Sequence, residues 1–170
     1  AEASTASTVQ AFEVNGHLQG GVMASAPQLD EVNNPNATQG NDAYGYHWTR
    51  DGALFTENML TLYKMTRHPV LAQVINHLFD YIYRAYVING VPVDAQRLGL
   101  LDAREPSAKW EPQSDGPAYL AKLMLAYLRS ELADQNNERA VQATILLETA
   151  VNYLLRYVDA IVYFLQTEAN

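Results

Sequence analysis

The sequence predicts an all-α fold of antiparallel helix pairs, preceded by a short irregular or β-like N-terminal segment. Three observations predict it. Several stretches repeat apolar residues with the 3.6-residue period of a helix. Gly and Pro clusters fall between those stretches rather than inside them. The 170 residues are 48% hydrophobic and 18% charged, a balance that suits one compact globule and not a disordered chain.

The elements follow in order. Residues 1–20 are expected to be a flexible or extended segment, with small polar residues up to about residue 10. Phe12 and Val14, then Val22 and Ala24, alternate loosely around Gly16 and Gly20-Gly21, which suggests a hairpin or short extended pieces. Residues 26–43 hold Pro27, Pro35 and Gly40 among several Asn and read as a loop. A first helix is expected from about 51 to 66, with Leu54, Phe55, Met59, Leu62 and Tyr63 on one face, ended by His68-Pro69. A second carries Leu71, Val74, Ile75, Leu78, Phe79, Ile82 and Tyr86 up to Asn89-Gly90. Residues 90–113 hold Pro92, Gly99, Pro106 and Pro112 and show no period. A loop that long is seldom idle, so a functional role is expected of it. Asp115-Gly116-Pro117 opens a third helix with a capping carboxylate and an early Pro. Leu120, Leu123, Met124, Tyr127 and Leu128 line it as far as Asp134-Gln135-Asn136-Asn137. The last helix is expected from about 138 into the 150s, with Val141, Ile145, Leu147 or Glu148, Val151, Leu154 and Leu155 on its apolar side.

Charge and composition narrow the function classes. The net charge of −8 and pI near 4.8 would repel nucleic acid and anionic lipid, so neither is an expected partner. A neutral ligand meets no such penalty. There are no cysteines, hence no disulfide framework or thiol chemistry. The longest apolar run, Ala160–Leu165, is far below the roughly 20 residues of a membrane span. The Ala-Glu-Ala-Ser-Thr start resembles a terminus left by signal-peptide cleavage, which suggests a secreted or periplasmic protein. His17, His47, His68 and His77 lack metal-ligand spacing. No phosphate-binding glycine loop or serine nucleophile elbow is present.

The most informative stretch is Tyr44-Gly45-Tyr46-His47-Trp48-Thr49-Arg50-Asp51. Aromatic faces stack on the CH faces of a sugar, and Arg and Asp hold hydroxyls by charge-assisted hydrogen bonds. The plainer reading makes Trp48 core and Arg50–Asp51 a local ion pair at a helix start. This block resembles the Tyr-x-Tyr-x-Trp-Thr-Arg-Asp of glucoamylases, α-helical hydrolases that release glucose from starch chain ends. Further likenesses follow the same order. They are Gly21-Val22-Met23-Ala24-Ser25, Trp110-Glu111-Pro112-Gln113-Ser114-Asp115-Gly116-Pro117-Ala118, and a tail from Tyr153 to Asn170 that aligns without gaps. The resemblance covers residues 21–170 and implies a portion of an (α/α)6 toroid there. The two aromatic blocks precede the first and third helices, so Trp48 and Trp110 are expected at one shared mouth.

The resemblance also implies the chemistry. Inverting hydrolysis uses one carboxylic acid on the leaving oxygen and a second carboxylate, roughly 6.5–9.5 Å away, to activate water. It implies no cofactor and no metal. Tyr44, Trp48, Arg50 and Asp51 would form the terminal glucose subsite, and Trp110 would stack near the scissile bond. Gln113 and Asp115 match positions read as structural. The family's Trp-Glu-Glu, whose first Glu is the acid, falls on Gln166-Thr167-Glu168. Thr167 cannot serve, because an alcohol is far too weak an acid. Glu168 takes the acid's role only through a one-residue slip. The family's base lies in a later region with no counterpart in these 170 residues. Three readings remain open: a hydrolase portion acting on the non-reducing end of α-1,4-glucans, an inactive relative that binds glucan or protein, and a structural or assembly module. Self-association or a complementary chain is expected with any of them.

Overall fold

The computed structural model describes residues 12–14, 17–19, 21, 47–95, 97–99, 103–104 and 115–168. The 26–43 loop, Tyr44 and Trp110 lie outside these. The described residues form an all-α architecture with two minor strand pairs. Strands β1 (Phe12–Val14) and β2 (His17–Gln19) make the antiparallel hairpin expected near the N-terminus. Strand β3 (His47–Trp48) pairs antiparallel with β4 (Arg97–Leu98), so the start of the long loop lies against the aromatic block.

Helix α1 spans Thr49–Thr66 and α2 spans Pro69–Tyr83. Between them Arg67 adopts φ 54°, and its N–H donates to the Tyr63 carbonyl at 2.7 Å, closing α1 with a left-handed cap. Pro69 then begins α2 in its first turn, where no N–H is missed. The second helix does not stay α-helical to Asn89. Its last turn, Arg84–Ile88, is π-helical, and the Asn89 N–H reaches the Arg84 carbonyl at 2.8 Å. Helix α3 spans Asp115–Leu128, opening where expected but ending earlier. Arg129–Ser130 interrupts it, and a short α4 (Glu131–Gln135) follows. Helix α5 spans Asn137–Glu168, well past the 150s. No Gly or Pro occurs within it to stop it.

Three ion pairs mark the relative direction of α1 and α3. Arg50 meets Asp115 at the helix starts, Glu57 meets Lys122 midway, and Arg67 meets Glu131 beyond the far ends. The two helices therefore run side by side and parallel. Helix α2 packs back on α1, and α5 packs on α3. The core is built from Ile75, Leu78, Phe79 and Ile82 of α2, Leu120, Leu123, Met124 and Tyr127 of α3, and Ala143, Leu146 and Ala150 of α5. Phe79 and Tyr127 meet with ring centroids 4.4 Å apart.

Two apolar faces differ from the sequence reading. On α1 the buried face is Thr49, Gly52, Ala53, Thr56, Met59 and Leu60, whereas Leu62 is exposed. The helix is packed by both α2 and α3, and small residues let neighbours approach. On α5 the buried face is Ala143, Leu146 and Ala150, while Val141, Val151 and Leu155 are exposed. Large apolar residues mark the face of a helix that covers a core only when something packs against them, and alanines at close contact outrank them here.

His47 sits in β3, 1% exposed, its ring centroid 4.8 Å from that of Tyr81. Glycines accommodate it on two sides. A Cβ on Gly52 would lie 2.1 Å from His47 Cε1, and one on Gly21 would lie 2.7 Å from His47 Cβ. Burial pushes the imidazole down to about 3 from its ordinary 6.5, so it is neutral in the fold. The unfolded chain takes up a proton below 6.5, and the folded chain resists until about 3. Stability is therefore lost as pH falls through this window, at about 1.4 kcal/mol per pH unit from this group. Chemical denaturation of wild type and His47→Gln between pH 7 and 4 should show a shallower acid loss in the variant.

Candidate active site

The start of α1 carries the chemistry. Trp48, half-buried, is the N-cap of α1 with extended backbone, held through its pairing with Arg97 in β4. Thr49 is buried, and Arg50 and Asp51 occupy the first turn with side chains 45% and 34% exposed. Asp51 there complements the positive pole of the helix.

The Arg50 guanidinium is shared. Its Nε donates to Asp51 Oδ1 at 3.2 Å, and its NH1 donates to Asp115 Oδ2 at 3.2 Å. Both carboxylates raise the Arg50 pKa, the Asp51 hydrogen bond contributing most. Asp115 is the first residue of α3, and its Oδ1 is buried without a hydrogen-bond partner. The sequence reading made Asp115 a helix cap. In the structure its Oδ2 instead accepts from the aromatic block's arginine, tying that block to the Asp-Gly-Pro motif 65 positions later. The order of the helices predicted that the two blocks would share one end of the helix pair, but not that Arg50 and Asp115 would bond.

Beneath this cluster lies a buried polar junction. Thr49 Oγ1 is 2.6 Å from the Tyr86 hydroxyl and donates to the Ala95 carbonyl at 3.0 Å. Burial raises the Tyr86 pKa well above its ordinary 10, so the phenol stays protonated. A Cβ on Gly116 would meet the Thr49 Cβ and methyl at 3.4 Å, so α3 passes close to Thr49 on another side.

The other expected site residues fare differently. Trp48, Arg50 and Asp51 come together at one end of the α1–α3 pair. Tyr44 and Trp110 lie outside the described residues. Glu168 is the last residue of α5, and its side chain is outside the description, as is that of Thr167. Among the described residues no group of three or more His, Asp or Glu could hold a metal ion. A groove of about 250 Å³ lies at the opposite end of the helix pair, lined by Leu60, Tyr63, Lys64, Arg67, Ala126 and Arg129. It is remote from the Arg50 cluster and contains none of the sequence-predicted residues.

A helical framework that brings a strand-held indole, an arginine and two carboxylates to the shared start of two parallel helices defines an all-α domain with a polar, aromatic-flanked site. Residues 7–162 match the pattern of Glycosyl hydrolases family 15, and the chain belongs to that family, as a glucoamylase-like glycoside hydrolase domain. No curated protein matches the chain.

The Arg50 pairs are exposed, and exposed ion pairs contribute little to stability. Arg50→Ala and Asp115→Asn should each change unfolding free energy by about 1 kcal/mol or less in urea titrations. A larger loss would make the cluster part of the structural core.

Proposed function

We propose that the chain is the portion of a family 15 hydrolase that holds the non-reducing end of an α-1,4-glucan, with residues 21–170 contributing to an α/α toroid. The observation that carries this reading is Arg50 held between Asp51 and Asp115 beside Trp48. A guanidinium fixed by two carboxylates presents oriented donors and acceptors without the entropy of searching for them. Half-exposed, the cluster remains available to sugar hydroxyls, and the neighbouring indole offers a face for the sugar ring. Tyr44 and Trp110 complete the aromatic wall in this reading.

The catalytic pair is the weak part. The acid's position is Thr167, Glu168 fills it only by a shift in register, and no base corresponds within the chain. Because general acid assistance is worth roughly 10²–10⁴-fold and Thr167 cannot supply it, the reading favours glucan binding over hydrolysis by these residues. Calorimetry with maltotriose should show saturable binding, weakened in Trp48→Ala by about 1–3 kcal/mol. The same preparation should release no glucose from maltose above background, even with Thr167→Glu. Absence of binding at millimolar sugar would leave the structural or assembly reading. Glucose release lost in Glu168→Gln would make Glu168 the acid.

A second part of the proposal concerns partners. From Val151 to Phe164 every residue of α5 except Tyr153 and Leu154 is exposed, including Leu155, Val158, Ile161 and Val162. Apolar surface of that extent favours association, so the chain self-associates or docks a complementary chain. The acidic, cysteine-free composition suits a secreted or periplasmic setting, and no helix among the described residues is long and apolar enough to cross a membrane. Sedimentation should show species heavier than 18.9 kDa at low micromolar concentration, and a single monomeric boundary would refute the association.

A further inference from the structure

The π-helical turn at the end of α2 has a definite target. Its residues Ala85 and Tyr86 are buried, and the Tyr86 hydroxyl ends 2.6 Å from Thr49 Oγ1, 37 positions earlier in the chain. Proton accounting fixes the direction of that bond. A threonine hydroxyl has one hydrogen, and Thr49 donates it to the Ala95 carbonyl at 3.0 Å. Tyr86 must therefore be the donor to Thr49.

Thr49 is thus held from three directions: the phenol from the π turn, the carbonyl from the 91–95 segment, and α3 at Gly116 against its methyl. The 91–95 segment is itself anchored. The Val91 N–H donates to the Ala85 carbonyl at 3.0 Å, and the Ala95 N–H donates to the Pro92 carbonyl at 2.9 Å. Thr49 is the first residue of α1 and immediately precedes Arg50 and Asp51. A short, doubly satisfied hydroxyl pair in a dry site has few alternative geometries. π turns recur where a helix must redirect a side chain at a functional site.

We propose that Tyr86 is a positioning residue for the Arg50–Asp51–Asp115 cluster, acting through its hydroxyl on Thr49. This rests on the glucan-binding reading for its functional consequence, but the effect on Arg50 itself does not need it.

The test compares wild type, Tyr86→Phe, Thr49→Val and Thr49→Ser, each checked for retained helicity by circular dichroism. Thr49→Val keeps the methyl and removes the hydroxyl, and Thr49→Ser does the reverse. Nitrogen-resolved NMR of the Arg50 Nε–H reports the guanidinium's environment without any ligand, and calorimetry reports maltotriose affinity. Tyr86→Phe and Thr49→Val should move the Arg50 Nε–H resonance and weaken maltotriose binding about tenfold, while Thr49→Ser stays near wild type in both. Unchanged Arg50 resonances in Tyr86→Phe and Thr49→Val would overturn the proposal, as would Thr49→Ser behaving like Thr49→Val. If wild type binds no maltotriose yet the Arg50 resonance moves as expected, the glucan reading fails and the positioning role stands.

Discussion

The close approach of β3 to the first turn of α1, across His47 and Gly52, is the constraint on which the rest depends. The imidazole occupies the volume a side chain at position 52 would need, so α1 starts where the aromatic strand dictates. Once that start is set, Thr49 meets the π turn and α3, and Arg50 reaches Asp115. Tyr81 backs the imidazole and sends its own hydroxyl to the Gly99 carbonyl at 2.7 Å. A buried neutral histidine is costly only when protonated, so the site's foundation is uncharged while the charges ride above it, near solvent.

Charge is also distributed along the α1–α3 pair. At the shared N-terminal end lie Asp51 and Asp115, matched to the positive helix poles. At the opposite end Lys64, Arg67 and Arg129 lie near the carbonyl ends of the same helices. Parallel neighbouring helices repel as dipoles, and this arrangement of side chains offsets that repulsion at both ends. Arg50 is the exception, a cation at the positive end. It is tolerated because both neighbouring carboxylates take its donors.

Much of this was legible in the sequence. The all-α class, the hairpin near the N-terminus, the opening of α3 at Asp115 and the buried face of α2 followed from period and punctuation, because each depends on neighbours within a few residues. Trp48, Arg50 and Asp51 were recognisable as a set because they are adjacent in the chain. What escaped was non-local. The pairing of β3 with β4, the link from Arg50 to Asp115 and the Tyr86–Thr49 bond join residues brought together only by tertiary packing. The buried faces of α1 and α5 were misplaced because pattern reading follows bulk, and both helices make their tightest contacts through Thr, Gly and Ala. The π turn left no mark, since Arg-Ala-Tyr-Val-Ile serves an α-helix equally well.

Helix α5 has a consequence for how the molecule opens. One face of α5 is anchored by Ala143, Leu146 and Ala150, with Tyr153 and Leu154 packed on the same core, whereas from Leu155 to Phe164 every residue is exposed. The anchored face therefore protects its amide hydrogens more than the stretch from Leu155 onward, which helix propagation chiefly holds. A single unbroken rod of 32 residues thus spans the edge of the cooperative unit, and protection falls along it as a gradient. Any surface that comes to cover the outer half would extend that unit without forming a new element, converting a fraying helix into part of the core.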